Sequence, residues 1–129
     1  MGSAAENEVV AKFARAWESA DLAALVDLLT DDVFISMPPM PFEYEGRELV
    51  ARFCANIFDA GRRFDLVPTR ANGQPAFGVY LRTPETVSQG ACLYVLTLAA
   101  DRISAITRFE DTVLTSFGLP RSLTSLVDA

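Results

Sequence analysis

The sequence predicts an α+β domain: three N-terminal helices packed on a curved antiparallel sheet that encloses a pocket. Three observations carry that expectation. The first part of the chain spaces its apolar residues at helical intervals, and the part after Gly61 spaces them at intervals of two. Between them lies Met37-Pro38-Pro39-Met40-Pro41-Phe42-Glu43-Tyr44-Glu45-Gly46-Arg47. Proline lacks the backbone N–H and clashes one turn back, so this segment cannot be helix. It is also too apolar for a solvated loop, and the mouth of a cavity is what such a loop would cover. Helices segregated to one face of an antiparallel sheet define the α+β class.

Each element follows from local signals. Ser3 and Glu6 have capping-box spacing, and Val9, Val10, Phe13, Ala14 and Trp17 mark one helical face. Asp21 caps a second helix carrying Leu22, Leu25, Val26 and Leu29, which Thr30-Asp31-Asp32 ends. Val33 to Ser36 is a short strand. Leu49, Val50, Phe53, Cys54, Ile57 and Phe58 form the stripe of a third helix, and Gly61 suits a left-handed stop. Strands then run from Phe64 to Arg70, Phe77 to Arg82, Val87 to Leu98 and Ile103 to Val113, with turn signals at Asn72-Gly73 and Thr83-Pro84-Glu85. A short helical tail covers Ser116 to Leu119 and stops at Pro120.

The bulk properties bound the function. With 129 residues the chain is expected to be one domain over 1–129, large enough to bury a substantial core. Half the residues are hydrophobic, which leaves apolar surface for a ligand cavity or a partner. The net charge of −6 argues against nucleic-acid binding, which needs clustered Lys and Arg. Histidine is absent, so Ser-His-Asp and Cys-His catalysis are excluded and the commonest transition-metal ligand is missing. Cys54 and Cys92 sit among apolar neighbours and read as buried free thiols; neither a disulfide framework nor a metal site is expected. No cofactor is implied. No stretch reaches the ~20 apolar residues of a membrane span and no signal peptide is visible, so a cytoplasmic location without membrane contact is expected.

Ala16-Trp17-Glu18-Ser19-Ala20-Asp21-Leu22, Leu28-Leu29-Thr30-Asp31-Asp32-Val33 and the loop closing at Gly46-Arg47 resemble the NTF2-like superfold in its SnoaL-like branch, over nearly the whole chain. Met37-Pro38-Pro39-Met40-Pro41, the run Thr69 to Phe77 and the ending Phe117-Gly118-Leu119-Pro120 resemble more closely the C-terminal SnoaL-like domain of actinobacterial extracytoplasmic-function sigma factors. That resemblance implies a module that modulates promoter-binding regions, which this sequence does not itself contain. Ketosteroid isomerases and limonene-epoxide hydrolases share the superfold. Their catalytic positions resemble Phe13, Met37 and Tyr94 in the first case, and Phe34, Ser36, Leu81, Val79 and Arg108 in the second. Both catalytic sets are broken here, so neither activity is expected.

By the same resemblance, Cys92, Tyr94, Leu96 and Leu98 face the cavity from one strand, and Phe77, Val79 and Leu81 from the strand before. On the last strand Ser104, Ile106, Arg108 and Glu110 share the inward face, while Ile103, Ala105, Thr107 and Phe109 face outward. The candidate catalytic group is therefore Glu110, Arg108 and Tyr94: a carboxylate oriented by an arginine, with a phenol as donor, able to move protons. The candidate ligand-binding residues are Phe13, Trp17, Phe34, Met37, Met40, Phe42, Phe53, Phe77, Val79, Leu81 and Ile106, and a hydrophobic small molecule is the expected ligand. Glu43, Glu45 and Glu48 read as a solvated rim around Arg47. The outward face (Leu93, Val95, Thr97, Ala105, Thr107, Phe109) is apolar enough to need covering, and a homodimer through the sheet is expected to cover it. Three functional readings stand: a regulatory, ligand-sensing module of the kind appended to sigma factors; a free-standing, cofactor-independent cyclase, isomerase, or epoxide hydrolase or hydratase of secondary metabolism; and a protein-interaction domain whose cavity is vestigial.

Overall fold

The computed structural model describes residues 4–38, 43–61, 63–71, 73–82, 87–99 and 101–124. Helix α1 (Ala4–Ser19) ends at Ala20, whose φ of 54° turns the chain sharply into α2 (Leu22–Val26). Asp21 caps α2 as its sequence position predicts: its carboxylate accepts from the Ala24 N–H at 3.1 Å. Strand β1 (Leu29–Ser36) starts earlier than the hydrophobic run alone suggests. Thr30-Asp31-Asp32 does not end a helix but lies in this strand, because Leu29 is buried and pairs with Ile103. Strand β2 (Glu43–Glu45) pairs with β1, and α3 (Arg47–Asp59) follows, ending before Gly61 at φ 80°.

Strands β3 (Phe64–Ala71), β4 (Gln74–Arg82), β5 (Val87–Ala99) and β6 (Arg102–Glu110) make a meander. A 3-10 helix (Asp111–Phe117) and strand β7 (Ser122–Thr124) are the last of the described elements. The last long strand thus stops at Glu110 rather than Val113, and the tail helix begins earlier than its sequence signal. The sheet order is β2-β1-β6-β5-β4-β3, with β7 paired to β5. It is not wholly antiparallel: β1 runs parallel to β6. The connection between those two strands carries α3 and four strands, and a parallel pair requires a long crossover of this kind.

The register sorts side chains to two faces, and two separate clusters result. Helices α1, α2 and α3 pack on one face against Val33, Ile35, Phe64, Leu66, Phe77, Val79, Cys92, Tyr94, Leu96 and Ile106. A bulge opposite Thr97 and Leu98 places Ile103 in this cluster as well. The expectation that Ile103 faces outward with Ala105 fails for that reason, since one extra residue reverses the alternation. The opposite face carries Ala71, Ala76, Tyr80, Leu93 and Val95, covered by Leu114 and Leu119 from the chain's own C-terminal segment. The apolar outer face therefore has an intramolecular cover, so β4 is buried on both sides through most of its length.

Candidate functional site

Two cross-strand rows define the helix-side face at its centre. Phe77 on β4, Tyr94 on β5 and Arg108 on β6 stand directly side by side, as do Val79, Cys92 and Glu110 one step along. Side chains in such rows lie about 5 Å apart at Cβ and touch. Tyr94 is buried and its ring lies 5.4 Å from Trp17 and 6.4 Å from Phe13. Phe13 stacks on Phe77 at 5.5 Å, and Trp17 meets Phe58 and Phe64 edge-on at 5.0 and 5.7 Å. These separations are those of packed aromatic pairs, and the rings occupy the ground between α1 and the sheet.

The polar groups within this packing are few. Burial pushes the Cys54 thiol up to about 12, and the Cys92 thiol to about 11 despite the Arg108 guanidinium and the Tyr94 hydroxyl beside it. Burial also drives the Tyr94 phenol well above its ordinary value, and the neighbouring thiols act in the same direction while Arg108 opposes them. All three groups hold their protons at neutral pH. The Trp17 indole N–H is buried without a hydrogen-bond partner among the described residues. Arg108, half-buried at the end of the Phe77–Tyr94 row, has no carboxylate within salt-bridge distance among the described residues. Among the described residues the interior therefore offers donors (an indole N–H, a phenol O–H and a guanidinium) and no buried carboxylate to accept a proton.

The sequence-predicted site residues divide accordingly. Tyr94 and Arg108 are brought together. Glu110 lies on the same strand two residues on, but it is exposed and its carboxylate does not pair with Arg108. Phe13, Trp17, Met37, Phe77, Val79 and Ile106 are buried in the helix-side core. Phe53 and Leu81 are half-buried at its margin, where Phe53 packs on Tyr44 at 4.9 Å. Phe34 alternates with the buried Val33 and Ile35, so it points to the opposite face, 37% exposed. Met40 and Phe42 lie outside the described residues. Sequence reasoning treated Cys54 and Cys92 as inert core. The structure adds that both lie close enough to Tyr94 to act on its hydroxyl, and for Cys92 the shared alternation with Tyr94 was the available signal.

Open grooves among the described residues lie on the outside. One of about 320 Å³ runs along α3 between Tyr44, Leu49, Phe53 and Ile57. A larger polar one of about 550 Å³ separates α1 and α2 from the β5–β6 turn, lined by Lys12, Arg15, Asp27 and Arg102. Arg47, expected among Glu43, Glu45 and Glu48, instead pairs with Asp31 across the start of β1. No helix of the described residues is long and apolar enough to cross a membrane.

This architecture recurs in proteins of known structure. The chain matches an epoxide hydrolase/cyclase-like enzyme, SalBIII, of pyran ring formation in the polyether salinomycin, with a TM-score of 0.65 and 20% identity, covering 81% of this chain and 88% of that one. It matches an LEH-like epoxide hydrolase of Mycobacterium tuberculosis with a TM-score of 0.62 and 18% identity, covering 81% of each. Identities this low speak to the fold alone. In sequence, the ECF RNA polymerase sigma factor SigG of Mycobacterium tuberculosis is 36% identical over 121 residues, covering 90% of this chain. The matched stretch is only 32% of that protein, so the chain spans about a third of the length of these curated relatives. The family model described as SnoaL-like domain matches residues 10–109, from the first turns of α1 to the end of β6. The chain belongs to the SnoaL-like domain family, within the NTF2-like fold.

Proposed function

We propose that this domain is a regulatory module acting on the promoter-binding regions of a sigma-type polypeptide and performing no chemistry of its own. One observation carries the reading: 36% identity over nine-tenths of the chain to about a third of a sigma factor. The character of the interior supports it. Acid–base catalysis needs a group poised near the working pH within reach of substrate. Here the buried titratable groups are held protonated, and the carboxylate nearest to them in the register, Glu110, faces solvent. The test is binding in trans. The mycobacterial relative is made without its matched third and titrated with this chain by calorimetry. Association with a Kd on the order of micromolar, about −8 kcal/mol, is expected. Heat no different from dilution at tenfold higher concentration counts against the reading.

A ligand-sensing role is the finer form of the same proposal, and the buried, unpartnered Trp17 N–H favours it. A donor without an acceptor costs about 1–3 kcal/mol, which an acceptor-bearing molecule would relieve. With Tyr94 and Arg108 as further donors, the matching ligand is an apolar molecule ending in a carbonyl or carboxylate. Medium-chain fatty acids and aromatic ketones are the probes, read by thermal shift. A ligand at 100 times its Kd stabilises by about 2.7 kcal/mol. Arg108→Ala should abolish the shift for the acids and spare it for the ketones. No shift with either series would remove the sensing role and leave the regulatory reading standing.

A further inference from the structure

We propose that the C-terminal segment, Asp111 to Thr124, is an intramolecular substitute for a second copy of this chain. It occupies the outer sheet face through which two copies would otherwise pair, and so keeps the domain monomeric.

The face and its cover are matched in atomic detail. Leu114 and Leu119 are buried against Tyr80, Leu93 and Val95, with Val113, Phe117 and Leu123 packed around them. The Tyr80 hydroxyl donates to the Pro120 carbonyl at 2.6 Å, and the Gly90 N–H donates to the Arg121 carbonyl at 2.8 Å. Strand β7 then pairs with Val87 to Gln89 at the projecting end of β5, beyond the reach of β6, whose pairing begins at Cys92.

Two glycines make the seat. A Cβ at Gly78 would stand 2.7 Å from Leu119 Cδ1, and one at Gly90 would stand 2.7 Å from both the Arg121 carbonyl oxygen and Leu114 Cδ1. Neither glycine has a positive φ, so the backbone at both positions accepts any residue. Glycine weakens a strand interior, and a β-branched residue would suit either site better were the segment not lying there. At Gly90 the Arg121 backbone of the C-terminal segment excludes a side chain, whereas at Gly78 a side chain would press on the end of Leu119 and on the ring of Tyr80, which a Cβ would approach to 3.1 Å.

A second copy is the occupant this face would take when uncovered. The chain carries a net charge of −6, so two copies repel except where neither presents a carboxylate. The covered set of Ala71, Ala76, Tyr80, Leu93, Val95 and Phe109 is apolar, and the carboxylate beside Tyr80 in the register, Asp65, is already neutralised by its ion pair with Arg82. An apolar sheet surface whose bordering charges are internally paired is complementary to its own symmetry mate, as a two-fold interface requires. The cover is also the part of the fold best suited to lift. It is a short 3-10 helix and a three-residue strand, and such elements open at lower free energy than the central strands.

The test uses the chain with Gly78→Val, with Gly90→Val and with the milder Tyr80→Phe. Sedimentation velocity reads the association state. Trypsin cleavage after Arg121 and hydrogen exchange at the residue 90 amide read whether the segment is seated. The wild type is expected to be monomeric, with that amide protected. Each valine variant should be cut at least tenfold faster and sediment as a dimer at tens of micromolar. Tyr80→Phe, which removes one hydrogen bond and leaves the fold intact, should raise cleavage severalfold and dimerise only at higher concentration. A wild-type dimer with the segment seated would overturn the proposal, as would variants that release the segment and stay monomeric.

Discussion

The three protonated groups around Tyr94 set the behaviour of the interior in alkali. Unfolded thiols titrate near 9, whereas burial holds Cys92 at about 11 and Cys54 at about 12. Above pH 9 the unfolded chain therefore binds fewer protons than the folded one, and stability falls as pH rises. Their contribution is fully present below pH 9 and is lost between pH 9 and 12, with Tyr94 adding to the loss at the upper end. Urea midpoints at pH 7, 9 and 10.5 should be level over the first interval and drop over the second. The Cys54→Ala/Cys92→Ala variant should drop less steeply. A midpoint independent of pH to 10.5 would contradict the placement of these thiols. The same burial predicts that a disulfide-exchange reagent at pH 8 leaves both thiols unmodified until the protein is denatured. Phe13 is fully buried and in ring contact with Trp17, Phe77 and Tyr94. Phe13→Ala should cost about 3–5 kcal/mol by chemical denaturation.

At the scale of elements, stability is placed where polar side chains close backbone groups. Removing the α2 cap, Asp21→Ala, should cost about 1 kcal/mol in the urea midpoint. Glu18 reaches from α1 to accept the Leu66 N–H of edge strand β3 at 3.0 Å, tying the helix to the sheet margin. Glu18→Ala should cost about 1.5–3 kcal/mol and speed amide exchange at Leu66. An unchanged exchange rate there would show that the carboxylate does not hold the strand. How far these elements were legible depends on how local their causes are. The cap at Asp21, the stop at Gly61 and the alternation of Cys92, Tyr94 and Leu96 depend on neighbours in sequence, and the chain announces them. The entry of Leu29 into β1 and the turning of Ile103 to the helix side depend on partners some 70 residues apart and on a bulge, which periodicity cannot carry. The outer cover was hidden for a similar reason: nothing local to Gly78 and Gly90 tells that Leu119 and Leu114 lie over them.

For the whole molecule, one fold serves relatives of very different kinds, and function rests on what the interior and surfaces retain. Tyr94 and Arg108 stand together as the alternation predicts, while Glu110 falls at the strand end, where alternation still assigns it inward but the surrounding sheet has run out. A buried interior whose thiols and phenol stay protonated, together with kinship to a third of a sigma factor, is what supports the proposal that this domain acts on other polypeptide rather than on substrate. Promoter-directed run-off transcription tests that claim most directly. The mycobacterial relative is assayed in two forms: with this chain in place of its matched third, and with that third deleted. Outputs differing by about tenfold are expected, equivalent to roughly 1.4 kcal/mol of coupling, with the difference surviving Glu110→Gln. Equal output from the two forms, with the inserted domain shown to be folded by the Trp17 emission, would contradict it.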